Sequence, residues 1–219
     1  MASRPNSSEV QILEQYRVSF ENVENQSEIA SIMAEFGYDE TLIAEGKLLF
    51  NKTQDAYNNN KTEDDETSTA YNNFITLKDE LAKIYMLHRK KGKVVFRKDS
   101  TTLNNLDLKG SIPRVYVKWL ETVKKFYSVA LSNDDIKTKL ARLKVTPEEL
   151  TTTNLKIQEL ETARAEYLRE KGESQDATKL KDTAFIELDD WMSEFYAVAK
   201  IALEDNLQLL ESLGKFVRS

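Results

Sequence analysis

The stretch Phe74-Ile75-Thr76-Leu77-Lys78-Asp79-Glu80-Leu81-Ala82-Lys83-Ile84-Tyr85 returns 111 residues later as Phe185-Ile186-Glu187-Leu188-Asp189-Asp190-Trp191-Met192-Ser193-Glu194-Phe195-Tyr196, with five identities in twelve. Self-similarity at a fixed offset marks a duplicated structural unit. Asp65 and Thr67 meet Asp176 and Thr178 at the same offset. Upstream, Ile29, Met33-Ala34 and Phe36 lie over Ile136, Leu140-Ala141 and Leu143, and Glu40 and Leu42 over Glu148 and Leu150, at offsets of 107 and 108. Downstream, Leu103, Leu106 and Gly110 lie over Leu207, Leu210 and Gly214 at an offset of 104. The matches come in the same order and predict two diverged copies of one unit, about residues 6–111 and 112–219. The drift in offset places about three extra residues in the front half of the second copy's long segment, which would overwind a heptad seam locally. It also places about seven extra residues after the first copy's long segment, over Gly92 to Asp99.

Apolar periodicity outside the quoted stretch is helical throughout, with spacings of three and four rather than two. It predicts helices at about 7–22, 26–36, 39–91, 101–108, 114–131, 133–143, 147–204 and 206–212. Val94-Val95-Phe96 is the one run with some strand character. Thr146 reads as an N-cap, Pro147 as the first helical residue and Glu149 as the capping-box carboxylate, and Pro113 sits similarly behind Ser111 and Ile112. Gly37, Gly92 and Gly214 follow apolar runs and suit the left-handed position that closes a helix, whereas Gly46 and Gly172 fall inside helical patterns.

The two long segments keep their seam without an evident stop signal. In the first it runs through Leu42, Gly46, Leu49, Thr53, Asn60, Phe74, Leu81, Tyr85 and His88. A seam sustained over that length asks for a partner helix along its length. The expected fold is therefore all-α: an elongated bundle in which two very long antiparallel helices, flanked by shorter ones, pack about a pseudo-two-fold axis as one domain. Residues 39–50 would lie near 191–204, and 74–91 near 147–160. Both seams turn polar in the middle, at 58–73 and 164–183, so the competing reading bends each helix near 58–61 and 171–172. A reversal normally needs several turn residues, and Gly172 stands alone, which favours continuous helices.

Composition narrows the chemistry. The chain has 219 residues, 40% of them hydrophobic and 31% charged, a profile of a folded soluble protein. With 37 acidic and 31 basic side chains the net charge is −6, which disfavours nucleic acid and anionic lipid as partners at long range. Met1 to Ser8 is polar and no uninterrupted apolar stretch follows, so neither a secretory signal nor a membrane span is expected and a cytoplasmic location is the default. Cysteine is absent, which excludes disulfides, cysteine-ligated zinc, iron–sulfur clusters and thiol nucleophiles.

His88 is the only histidine, and Tyr85 stands three residues before it where a di-iron bundle would place Glu. No Gly-x-Ser-x-Gly elbow and no glycine-rich phosphate loop is present. His88 lies on the apolar seam and reads as a hydrogen-bonded core residue. The acidic waist carries Glu63, Asp64, Asp65 and Glu66 in the first long helix and Glu170, Glu173, Asp176 and Asp182 in the second. If these face each other, Glu63, Asp64, Asp65, Glu173 and Asp176 are candidate oxygen ligands for calcium or magnesium, although a charge run on a helix is usually a solvated face. The basic run Arg89, Lys90, Lys91, Lys93, Arg97 and Lys98 is the sharpest charge asymmetry and the candidate partner-binding surface. Cations there would equally suit the negative end of a helix dipole. The sequence thus reads as a non-enzymatic cytoplasmic scaffold that binds protein, with self-association open and no cofactor. A metal-binding protein or enzyme using the acidic waist is the alternative, and curved-membrane binding is disfavoured by the charge.

Overall fold

A computed structural model describes residues 8–214. Among them are eight α-helices and no strand: α1 (Glu9–Asn25), α2 (Ser27–Glu35), α3 (Glu40–Val95), α4 (Ser100–Asn105), α5 (Tyr116–Ser132), α6 (Asp134–Ala141), α7 (Pro147–Ala202) and α8 (Leu207–Ser212). Both long helices are continuous through the polar stretches, so the bent alternative is excluded. Neither contains proline after its first turn, and a helix interior without proline or an inserted group has no reason to kink. No helix among the described residues is long and apolar enough to cross a membrane.

Three local expectations are corrected. Gly92 does not close α3, which continues to Val95. At Gly92 the missing side chain makes room for Leu108, whose Cδ1 would lie 3.0 Å from an added Cβ. Val94-Val95-Phe96 is accordingly the end of α3 and the turn after it, held by the Phe96 amide on the Gly92 carbonyl at 2.9 Å. Pro113 lies outside a helix, because α5 begins at Tyr116 behind Val115, which provides no side-chain cap. Elsewhere the punctuation behaves as read. Gly37 and Gly214 have φ of 89° and 77°. Thr146 and Glu149 exchange the two capping-box hydrogen bonds, at 3.2 and 3.3 Å.

The chain divides into two compact units, each drawing on both long helices: unit 1 is 1–64 with 172–219, and unit 2 is 65–171. In unit 1 the two long-helix segments run antiparallel. Lys52 pairs with Glu187 at 2.6 Å, the Thr53 hydroxyl donates to the Ala184 carbonyl at 3.1 Å, the Asn60 amide to Thr178 Oγ1 at 3.1 Å, and the Ser174 hydroxyl to Asp64 at 2.6 Å. Thr53 and Asn60 are buried and satisfied, which is why a polar seam does not break the pairing there. Further along, Trp191 packs its ring onto the α3 backbone at Gly46, and Phe20, Tyr38 and Phe195 surround that ring at centroid distances of 5.4–5.6 Å. This puts 39–50 beside 191–204, as expected. Ser19, buried on α1, bonds Tyr196 and the carbonyls of Gln15 and Leu213 and so ties α8 to α1.

Unit 2 is also antiparallel in its long-helix segments: Tyr71 contacts Tyr167, Lys156 reaches Glu80 at 3.3 Å, and His88 stands 3.8 Å from Glu149. The expected neighbourhood of 74–91 and 147–160 is met. Its core joins Leu81, Tyr85 and Phe96 to Val123, Phe126 and Tyr127 of α5, Leu140 of α6 and Leu150 of α7. Burial of each such side chain stabilises by about 1.5–3 kcal/mol relative to exposure.

Candidate interaction surfaces

His88 comes first because any nucleophilic or acid–base chemistry would have to recruit it. It is 3% exposed, and its Nδ1 shares a hydrogen bond with the Tyr127 hydroxyl at 2.9 Å. Burial lowers its pKa, the Glu149 carboxylate opposes that shift, and Lys91 adds to it. Burial likewise pushes the Tyr127 phenol up. Both groups are therefore neutral at pH 7 and held by each other inside the core of unit 2.

Arg89, offered by the sequence as a partner-binding cation, is buried beside His88. Its guanidinium donates to the Asp107 carbonyl at 2.7 Å and the Gly110 carbonyl at 2.9 Å, and reaches the Tyr85 hydroxyl at 3.4 Å. It closes the turn after α4, where Asp107 and Gly110 adopt φ of 54° and 73°. Lys91 is half-buried and donates to the Lys144 carbonyl at 3.1 Å, tying the end of α3 to the turn before α7. The other four of the run, Lys90, Lys93, Arg97 and Lys98, are exposed, and none is within ion-pair distance of a described carboxylate.

What periodicity did not flag is that Lys90 and Lys93 share the outer side of α3 with exposed apolar side chains, while Arg97 and Lys98 lie in the turn beyond it. Met86, Leu87 and Val94 are 53%, 52% and 55% exposed. On a helix of 3.6 residues per turn, 83, 87, 90 and 94 line up within one narrow face, with 86 and 93 at its edge. Lys83, Leu87, Lys90 and Val94 thus form an outward apolar and basic stripe along the last turns of α3, while Leu81, Tyr85 and His88 face inward. The sequence carried a signal for this: Met86 and Leu87 are apolar between two seam positions, and no helix turns all four neighbours inward.

The acidic candidates are placed as follows. In unit 1, Asp64 accepts from Ser174, Asp176 pairs with Lys179 at 2.8 Å, Glu63 is half-buried and Glu173 is exposed. In unit 2, Asp65 is exposed and Glu170 is buried and paired with Arg169. Glu66 and Glu170 approach each other within 4.8 Å.

Unit 1 carries a surface groove of about 720 Å³ over the start of α3, which the sequence reading did not anticipate. Val23, Ala30, Tyr38, Ile43, Ala44 and Leu48 give it an apolar lining, with Leu48 69% exposed. Leu48 precedes Leu49 on the helix; Leu49 takes the core-facing place, so Leu48 points outward. Glu24, Asp39 and Glu40 stand at the rim with one cation, Lys47, which is held by Glu24 at 2.5 Å.

No protein-family model, curated protein or solved structure matches the chain. Functional inference therefore rests on these surfaces.

Proposed function

We propose that this is a non-enzymatic interaction protein, a scaffold whose working surface is the apolar and basic stripe of α3 in unit 2. The observation that carries the reading is the coincidence, on one helix face, of exposed Leu87 and Val94 with the cations Lys83, Lys90 and Lys93, with Arg97 exposed in the turn just beyond, none ion-paired to a described carboxylate. An amphipathic helix face with anchors at such spacing is a common way to fill a partner's groove, and unpaired cations around it select an acidic partner. The commitment of the chain's single histidine to Tyr127 also favours binding over catalysis.

The same reading takes the chain as a tandem duplication. Its support, beyond the repeated sequence, is the helix lengths: 17, 9, 56 and 6 residues for α1 to α4, against 17, 8, 56 and 6 for α5 to α8. The seven-residue excess at Gly92 to Asp99 lies where the stripe ends.

The test is affinity capture from the source cell's lysate with two baits, the full chain and the double variant Lys90→Glu, Arg97→Glu. Both substituted residues are exposed, so the variant keeps its fold. The expected result is a protein enriched by the first bait and lost from the second. Equal enrichment by both, or no enrichment in repeated trials, refutes the proposal.

A further inference from the structure

The distribution of charge between the units points to who occupies the groove. Unit 1 carries 22 acidic against 10 basic side chains, and unit 2 carries 21 basic against 15 acidic, balances of −12 and +6 within a net of −6. The acidic unit holds a groove with apolar lining and acidic rim; the basic unit holds a ridge with apolar crest and basic flanks. Each surface has the chemistry the other lacks. Opposite potentials of this size steer encounter and fix orientation, while apolar contact supplies the affinity.

We propose that the groove at the start of α3, lined by Tyr38, Ile43, Ala44 and Leu48, receives the Leu87–Val94 stripe of α3 from a second copy of this chain. The groove lies at the start of α3 and the stripe near its end. Lys90 and Lys93 then face the Asp39 and Glu40 carboxylates at the rim, and Leu87 and Val94 cover Leu48. The contact is heterologous, one surface on one copy and a different surface on the next, which yields rings or open chains rather than a closed two-fold dimer. The proposal rests on the reading of the stripe as a docking surface and names its partner.

Sedimentation velocity over a concentration series tests it, at about 0.01 M and about 1 M ionic strength, where the Debye length falls roughly from 30 to 3 Å. The expected result is association that grows with concentration at low salt and is weaker at high salt, where the charge complementarity is screened and the apolar contact remains. Two exposed-site variants then identify the surfaces: Leu48→Asp removes the groove and Lys90→Glu, Val94→Asp removes the stripe. Each variant alone should be monomeric, because it lacks one of the two faces. Mixed, they should form a 1:1 heterodimer and nothing larger, since one keeps its stripe and the other its groove. Circular dichroism checks that each is folded. Monomeric wild-type protein at low salt overturns the proposal; if the charge-reversed bait nevertheless loses its lysate partner, the interaction reading itself stands. Variants that still self-associate, or a mixture that does not associate, also overturn it. So does a groove that takes up a fluorescent Lys/Leu amphipathic model peptide while the chain stays monomeric, which would assign the groove to another protein.

Discussion

Replacing Gly46 by alanine should destabilise unit 1, although the same change in a free helix stabilises. The helix-propensity term favours Ala over Gly by about 1 kcal/mol at an interior position. Against it stands a steric conflict: a Cβ at residue 46 would lie 2.5 Å from Cη2 and Cζ2 of Trp191 and 2.8 Å from Cε2. Ordinary carbon contacts are about 3.5–4.0 Å, so the ring would have to retreat by roughly 1 Å. It has little room to do so, because Phe195 stacks on it at 5.5 Å and Phe20 and Tyr38 close in at 5.4 and 5.6 Å. Overpacking of this kind costs about 1–3 kcal/mol, and a rigid, enclosed ring puts the cost near the upper end. The net is a loss of roughly 2 kcal/mol, or about 4–8 °C in Tm for a chain of this size. Gly172 is the internal control: it is also in a helix of unit 1, but nothing lies within 4 Å of its added Cβ. Gly172→Ala should therefore gain about 1 kcal/mol. Thermal and urea unfolding followed by circular dichroism measure both. In a Trp191→Phe background the Gly46→Ala penalty should shrink, since the smaller ring leaves space. If both glycine variants raise Tm alike, the proposed close approach of Trp191 to the α3 backbone is refuted.

Arg89→Ala should destabilise unit 2 by about 1–3 kcal/mol, by leaving the Asp107 and Gly110 carbonyls without their donor, and hydrogen exchange should show the turn after α4 opening first. Removing the cap with Thr146→Ala should cost about 1 kcal/mol in urea unfolding and leave distant parts of the molecule unchanged. His88 sets a pH dependence whose sign follows from its lowered pKa. Below the ordinary histidine value of about 6.5 the unfolded chain takes up a proton that the folded chain resists, so this group's contribution is full above that pH and is lost as pH falls toward the folded value. Unfolding midpoints measured from about pH 7.5 down to about pH 5, a range that brackets that titration, should fall more steeply for wild type than for His88→Gln; parallel slopes contradict the assignment.

The bounds of the helices were legible in residue order because caps and periodicity are local. Thr146-Pro147 with Glu149 marks the start of α7, and Gly37 and Gly214 mark ends, from residues within a turn of each site. Gly92 was misread for the same reason. Its glycine answers to Leu108, sixteen residues on in the connection after α4, and no local rule reports such a neighbour. Arg89 shows the limit for function. Six cations within ten residues read alike, but Arg89 points inward to two carbonyls, Lys91 is half-buried on the Lys144 carbonyl and four are exposed; the phase of α3 about its axis separates those on the helix, and Arg97 and Lys98 lie in the turn beyond it.

The sequence by itself determined the helical class, the continuity of α3 and α7, and the seam along which they pair, because a three-four spacing without breakers leaves the backbone few alternatives. The tertiary structure alone decided which polar residues are buried and satisfied, that Trp191 lies on Gly46, and that the residues between seam positions emerge as an acid-rimmed groove in one unit and a basic ridge in the other. These depend on distances between elements far apart in the chain, set by how side chains of particular volume fill the space between helices, and that information exists only once the helices have packed.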